Sequence, residues 1–332
     1  MSIIFIVLFL SCISSTSSTE NYEVTLLKIK KQLGDPGVLS SWVEGFDFCH
    51  ASDPQHVGIS CYPTTGRVTF FGLYDLDISA PFPDAICDLT ELEDLVLYNI
   101  TGLYGPIPSC ITKLFDLYEI EIIGTSLFGS VPSFMNQTNL KSILLRGNHL
   151  SGTIPPSLST LPMLTVLDLS SNYLNGTIPS SLSTLQNLSN LDLSSNYLTG
   201  TIPSELVHGW ANSLNLSNNR LTGELPRCGW DVDFWLIDKI FQKTSTTQNL
   251  SHNKIHGKIP DSFASSHFYD LDLSFNKLCG EIPQGGNLWE FNAAAFANNT
   301  CLCGYPLPPC SPSATAPAPA PILEASDLDS SP

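Results

Sequence analysis

The line "LTVLDLSSNYLNGTIPSSLSTLQN" fills residues 164–187, and residues 188–211 read "LSNLDLSSNYLTGTIPSELVHGWA", with the same leucines 24 positions later. No other feature constrains the chain as tightly. A unit this short cannot bury its own apolar side chains, so it has to share them with a stacked copy. The phrase L-x-x-L-x-L-x-x-N-x-L-x-G-x-I-P recurs along the chain. Its proline, or the equivalent position, falls at Pro83, Pro108, Pro132, Pro155, Pro179, Pro203, Pro226, Pro260 and Pro283, with spacings of 25, 24, 23, 24, 24, 23, 34 and 23. This counts nine coils, with one long and irregular coil between Pro226 and Pro260. In "VLDLSSN" the alternation sends Leu167 and Leu169 inward and Val166, Asp168 and Ser170 outward, the period of a strand. Nine such strands at about 4.8 Å spacing make a parallel sheet roughly 40 Å long. Asn148, Asn172, Asn196, Asn219, Asn253 and Asn276 recur at one position. They predict an internal ladder whose amides satisfy backbone groups where the chain leaves the sheet.

This phrase is the leucine-rich-repeat pattern, and its G-x-I-P segment resembles the plant extracellular subtype over roughly residues 68–290. The resemblance implies an α/β solenoid: a right-handed superhelix with a parallel β-sheet on its concave face. Short 3-10 and β segments would line the convex side, between disulfide-stapled caps. An apolar run from Ile3 to Ile13 in an uncharged stretch reads as a signal peptide over residues 1–19. An N-terminal cap follows at 20–66, where "YEVTLLKIKKQLGDP" places Val24, Leu27 and Leu33 near helical spacing. The solenoid occupies 67–290 and a C-terminal cap 291–310. Residues 311–332 form a Pro/Ala-rich acidic tail that cannot build a core.

Nine cysteines remain outside the leader. Cys49 and Cys61 precede the repeats, and Cys279, Cys301, Cys303 and Cys310 follow them, as staples for two chain ends in an oxidising compartment. Cys87 and Cys110 lie one repeat apart and could pair, which leaves Cys228 as the odd thiol. N-x-S/T sequons begin at Asn99, Asn136, Asn175, Asn187, Asn215, Asn249 and Asn298, a density that suits a secreted glycoprotein. The net charge is −17, and residues 32–112 hold eleven Asp/Glu against Arg67 alone. Such a chain is a poor fit to nucleic acid and a better one to a basic partner. No second stretch is long and apolar enough to span a membrane.

The closing stretch "GEIPQGGNLWEF…CLCGYPLPPC", together with "LLKIKKQLGDPGVLSSW", closely resembles the plant polygalacturonase-inhibiting proteins over residues 20–310. The resemblance implies a secreted, monomeric cell-wall defence protein that binds and inhibits fungal or insect polygalacturonase. It also implies the pairs Cys49–Cys61, Cys279–Cys301 and Cys303–Cys310. The chain departs from that family in several ways. It has nine repeats where ten are common, and Phe48-Cys49 stands where a doubled cysteine is usual. His56 replaces a tryptophan, and Gln248 sits at a core-leucine position. With 14 Lys and Arg against 31 Asp and Glu, it is also a poor match to the family's attachment to pectin through basic residues.

No G-x-S-x-G elbow, H-E-x-x-H, P-loop or dinucleotide fingerprint is present, and the seven histidines lack metal spacing. No cofactor or metal is therefore expected. The recurring Asp168, Asp192 and Asp272 belong to the repeat phrase, so binding is expected rather than catalysis. Outward strand positions are the ones that differ between coils. Tyr74, Asp94, Tyr98, Glu119, Glu121 and Arg146 stand out in the first four coils, with Asp168 and Asp192 beyond them. Tyr and Arg are the commonest interface anchors. Glycans at Asn215 and Asn249 would wall off the later half of the face. Three rival functions fit the same scaffold: a peptide-binding signalling module in development or defence, an ice-binding relative that uses the concave Ser/Asn run of coils five to eight, and a non-inhibitory paralogue.

Overall fold

The computed structural model describes residues 19–50, 55–135, 137–207, 212–227 and 246–311. The leader reading up to residue 18, Asn136, Cys228, most of the irregular coil and the tail from residue 312 lie outside these residues. Ten strands make the main sheet: β1 (Val57–Cys61), β2 (Val68–Tyr74), β3 (Asp94–Tyr98), β4 (Glu119–Ile123), β5 (Ser142–Leu144), β6 (Val166–Asp168), β7 (Asn190–Asp192), β8 (Ser213–Asn215), β9 (Thr246–Asn249) and β10 (Phe268–Asp272). β1 belongs to the N-terminal cap and runs antiparallel to β2. The other nine run parallel in chain order, one per coil, as the period predicts.

On the other side of each coil lie short strands and 3-10 turns. The turns at Asp84–Asp88, Ser109–Lys113, Pro156–Thr160, Ser180–Thr184 and Asp261–Ser265 each start directly after the coil's proline. The proline ring sets φ for turn entry and lacks an N–H that would have no partner there. Each turn then drives a large apolar side chain inward: Ile86 (beside Ala85), Ile111, Leu158, Leu182 and Phe263. At Gly200 the glycine of G-x-I-P is required for two reasons. Gly200 has φ +78°, and a Cβ there would lie 2.8 Å from the Thr177 methyl of the preceding coil. The inward leucines of all coils, from the N-terminal helix to Phe296, join in one apolar core.

The predicted asparagine ladder is present. In Asn196 the Nδ2 donates to the carbonyls of Leu169 (3.0 Å), Leu193 (3.2 Å) and Ser194 (3.1 Å), while Oδ1 accepts from Leu174 N (2.9 Å). Each rung thus stitches its own turn to the coil before it. Two members lie outside the repeated phrase. Thr125 takes the place in coil three, donating to Asn148 Oδ1 and accepting from Leu127 N at 3.3 Å. Asn299 continues the ladder into the C-terminal cap by accepting from Leu278 N at 3.0 Å.

The caps differ from expectation in one respect. The helix α1 (Thr19–Gln32) buries Leu26, Ile29 and the following Leu33, whereas Val24 is 64% exposed and Leu27 only half-buried. Leu26, Ile29 and Leu33 have the 3–4 spacing of a single helical face, and Val24 lies off it. Trp42 packs edge-on against Phe48 (5.2 Å) and Phe71 (6.5 Å). His56, in the family's tryptophan position, places Nδ1 3.2 Å from the Tyr74 carbonyl oxygen. Disulfides join Cys49–Cys61, Cys279–Cys301 and Cys303–Cys310, and Cys87–Cys110 staples coil one to coil two.

Gln248 sits in register between Leu214 and Leu271 and is 7% exposed, with no hydrogen-bond partner for Oε1 among the described residues. A buried, unpaired carbonyl costs roughly 1–3 kcal/mol. Gln248→Leu should therefore raise stability by about 1–2 kcal/mol, seen as a higher urea midpoint. A lower midpoint would show that the amide has work there that an alkyl chain cannot do.

Candidate functional site

Strand register turns the concave face into ranks. One rank runs Phe70, Asp94, Glu119, Ser142, Val166, Asn190 and Ser213, and the next runs Gly72, Val96, Glu121, Leu144, Asp168, Asp192 and Asn215. Tyr74, Tyr98 and Ile123 head a third rank. Arg146 follows just beyond β5 and is exposed. The parallel ladder thus sets Asp94 directly beside Glu119, with Glu121 two residues further along the same strand.

Crowding of carboxylates leaves its mark on their acidity. Burial first, then the charges of Glu119 and Glu93, raise the Asp94 pKa above the ordinary range. Glu121 is raised by burial and by Glu119, with Arg146 acting in the opposite direction. Tyr74 is raised by burial and by the Glu121 charge. Its ring lies across Gly72: a Cβ on that glycine would meet the Tyr74 hydroxyl at 2.6 Å. Gly72 therefore lets the ring lie flat on the sheet floor. The floor is drier than the alternation implies, because Val96 is buried too.

The pH consequence has a definite sign. A carboxyl whose pKa is raised by folding binds its proton more tightly in the native state than in the unfolded one. Stability then falls as pH rises through the interval between the two values. Asp94, Glu121 and Asp168 all shift this way. This stabilisation of the free protein should accordingly be full below the ordinary carboxylate range and be lost as pH rises from that range through the raised values, read as a falling melting temperature by scanning calorimetry. A basic partner reverses the trend for binding, since it favours the ionised acids. Affinity should weaken as pH falls through their titration.

The later coils are built differently. Ser170, Ser194, Ser217, Ser251 and Ser274, expected to face out, are all buried. The cause is a local turn: Asp168 Oδ1 accepts from Ser170 N (2.9 Å) and Oγ (2.6 Å), and Asp192 treats Ser194 identically. Asn215 and Asn249 do the same for Ser217 and Ser251. Asp192 also accepts from Asn215 Nδ2 at 3.0 Å. Asp168 and Asp192 are thus tied into the scaffold, while the other six selected residues gather on coils one to four. The Ser/Asn run offers no regular concave array of hydroxyls.

Among the sequons, Asn99, Asn175, Asn187 and Asn298 are exposed, and Asn215 and Asn249 are half-buried. Asn99 donates to Asp75 Oδ1 (2.6 Å) and Asn187 to the Pro162 carbonyl (2.8 Å). Sequence reasoning missed Tyr118. It is exposed at the entrance to β4, with Lys141 Nζ 5.3 Å from its ring centroid. Its rank, one residue ahead of Asp94 and Glu119, also carries Glu93. Strict alternation would turn both inward, since each directly precedes an outward residue, so the strand period carries no signal for them. Among the described residues no helix is long and apolar enough to cross a membrane.

Leucine-rich-repeat family models match residues 134–206, 212–230 and 249–266. "Polygalacturonase inhibitor 1" of Arabidopsis thaliana is 37% identical over 338 residues, covering 93% of this chain and 98% of its own. "Leucine-rich repeat protein FLOR 1", also from Arabidopsis thaliana, is 37% identical, with 93% and 98% covered. Among solved structures, "crystal structure of a plant ice-binding protein" superposes with TM-score 0.69 at 31% identity, covering 89% of this chain and 99% of that one. Full-length kinship, repeat period and cap disulfides agree: the chain belongs to the plant polygalacturonase-inhibitor family of leucine-rich-repeat proteins.

Proposed function

We propose that this protein is a secreted, non-catalytic inhibitor of pathogen endopolygalacturonase, working in the plant cell wall through the first four coils of its concave face. The observation that carries this reading is the in-register acidic cluster of Asp94, Glu119 and Glu121, flanked by Tyr74, Tyr98, Tyr118 and Arg146. Pectin is a polyanion, so an enzyme that cleaves it needs a cleft lined with cations. An acidic, ring-edged surface complements such a cleft, steers its approach and fills the substrate path. Burial of about 800 Å² on each side is the size of a standard specific interface. Tyrosines supply anchors that lose little entropy on docking.

The test is the purified secreted protein titrated into a panel of fungal and insect endopolygalacturonases, with reducing-sugar release as readout. Nanomolar to micromolar inhibition of at least one member supports the reading. A flat response across the panel, with the protein folded by circular dichroism, removes it and leaves a binding module for another basic partner. Fungal and insect enzymes are separate arms of that panel.

A further inference from the structure

One edge of the solenoid has a character opposite to the rest of the molecule. The residue after the ladder asparagine is His149, Tyr173, Tyr197, Arg220, Lys254 and Lys277 in six consecutive coils. Their backbones are stitched directly together: Tyr197 N donates to Leu174 O, Arg220 N to Leu198 O, Lys254 N to Leu221 O and Lys277 N to Ile255 O, all at 2.7–2.8 Å. The rings are close to parallel, His149 to Tyr173 at 5.5 Å and Tyr173 to Tyr197 at 5.9 Å, with the Arg220 guanidinium 4.4 Å from the Tyr197 ring. A groove of about 500 Å³ runs beside the rings over the rungs Asn148, Asn172 and Asn196. Arg220, Lys254 and Lys277 are exposed, and among the described residues none has a carboxylate within 4 Å. Glu224 and Glu281 lie on neighbouring ranks without pairing them. In a chain of net charge −17, a row of three exposed cations with no carboxylate partner among the described residues, ending in exposed rings, suits an anionic, partly apolar cover.

We propose that the cover is this chain's own C-terminal segment. "ILEASDLDSSP" brings Glu324, Asp327 and Asp329 together with Ile322, Leu323 and Leu328. Its carboxylates meet Lys277, Lys254 and Arg220, and its apolar side chains lie against Tyr197 and Tyr173. The point of departure favours this. The strand Cys301–Cys303 pairs with Lys277–Glu281, and Cys303 is bridged to Cys310, so the chain leaves the fold one coil beyond Lys277. Five coil steps of about 4.8 Å put Tyr173 roughly 24 Å away. Residues 312–321 supply ten residues of chain, whose greatest reach is about 30 Å. The acidic stretch therefore begins within reach of the whole edge. The tethered segment also has an effective concentration that a free acidic peptide lacks.

The full-length protein, dilute and monomeric, is treated with a zero-length carbodiimide and mapped by mass spectrometry. Cross-links from Lys254 or Lys277 to Glu324, Asp327 or Asp329 are expected in the monomer band. In parallel, full-length Glu324→Gln/Asp327→Asn/Asp329→Asn should bind immobilised heparin, a model polyanion, roughly tenfold more tightly at low salt, the gain fading as ionic strength rises. Adding Lys254→Ser and Lys277→Ser should abolish that gain. Absence of those cross-links, their restriction to a dimer band, or unchanged heparin elution of the triple variant each overturns the proposal.

Discussion

Asn196→Ala should cost the fold about 3–6 kcal/mol, enough to make it the most damaging single substitution considered. The side chain makes four hydrogen bonds, donating to the carbonyls of Leu169, Leu193 and Ser194 and accepting from Leu174 N. It is only 4% exposed, so water cannot replace them without opening the coil. Each buried group left unpaired costs roughly 1–3 kcal/mol, with partial relief by relaxation. Asn175→Ala, at an exposed position of the preceding coil, should change stability by less than about 0.5 kcal/mol. Urea denaturation of the pair separates an energetic ladder from a decorative one. Equal midpoints would mean that the leucines alone hold neighbouring coils in register.

Glu119→Lys with Glu121→Lys should reduce inhibition of a susceptible polygalacturonase by roughly 10- to 100-fold at low ionic strength, mostly through slower association. The two acids face out from β4 at the centre of the acidic cluster, and reversing both changes the local charge by four. Much of the loss should disappear in high salt, where steering is screened. Asp192→Asn serves as the control: its carboxylate is occupied by Ser194 and Asn215, so inhibition should stay within about twofold. Inhibition unaffected by the double reversal would place the contact elsewhere on the solenoid.

What could be read from letters alone follows from which interactions repeat. The nine coils and the Asn148-to-Asn276 ladder recur at near-regular spacing, and period is visible without coordinates; the end disulfide pairs follow from the family resemblance instead. Alternation also placed Asp94, Glu119 and Glu121 on the open face correctly. It failed at Ser170 and its equivalents, because an Asp or Asn side-chain oxygen two residues back holds the serine in a local turn, and strict alternation carries no record of that turn. Tyr74 lies flat because Gly72, two residues earlier on the same face, has no side chain, a contact that the strand period does not record. For α1, a short run of Val, Leu and Ile supports more than one helical face, and only packing on the first coil selects Leu26, Ile29 and Leu33. Asn299 escaped because the C-terminal cap keeps the ladder's geometry after abandoning the repeat's phrase.

The ladder carries an evolutionary implication. From Asn172 to Asn276 each rung presents the same acceptor to the coil before it and the same donors to its own turn. Unequal crossing-over that excised residues 173–196 would bring Asn172 against Tyr197 and restore an equivalent joint. Lineages can therefore lengthen or shorten the spring by whole turns with little structural penalty, and a difference of one turn between relatives is what such a hinge-free, modular joint makes easy.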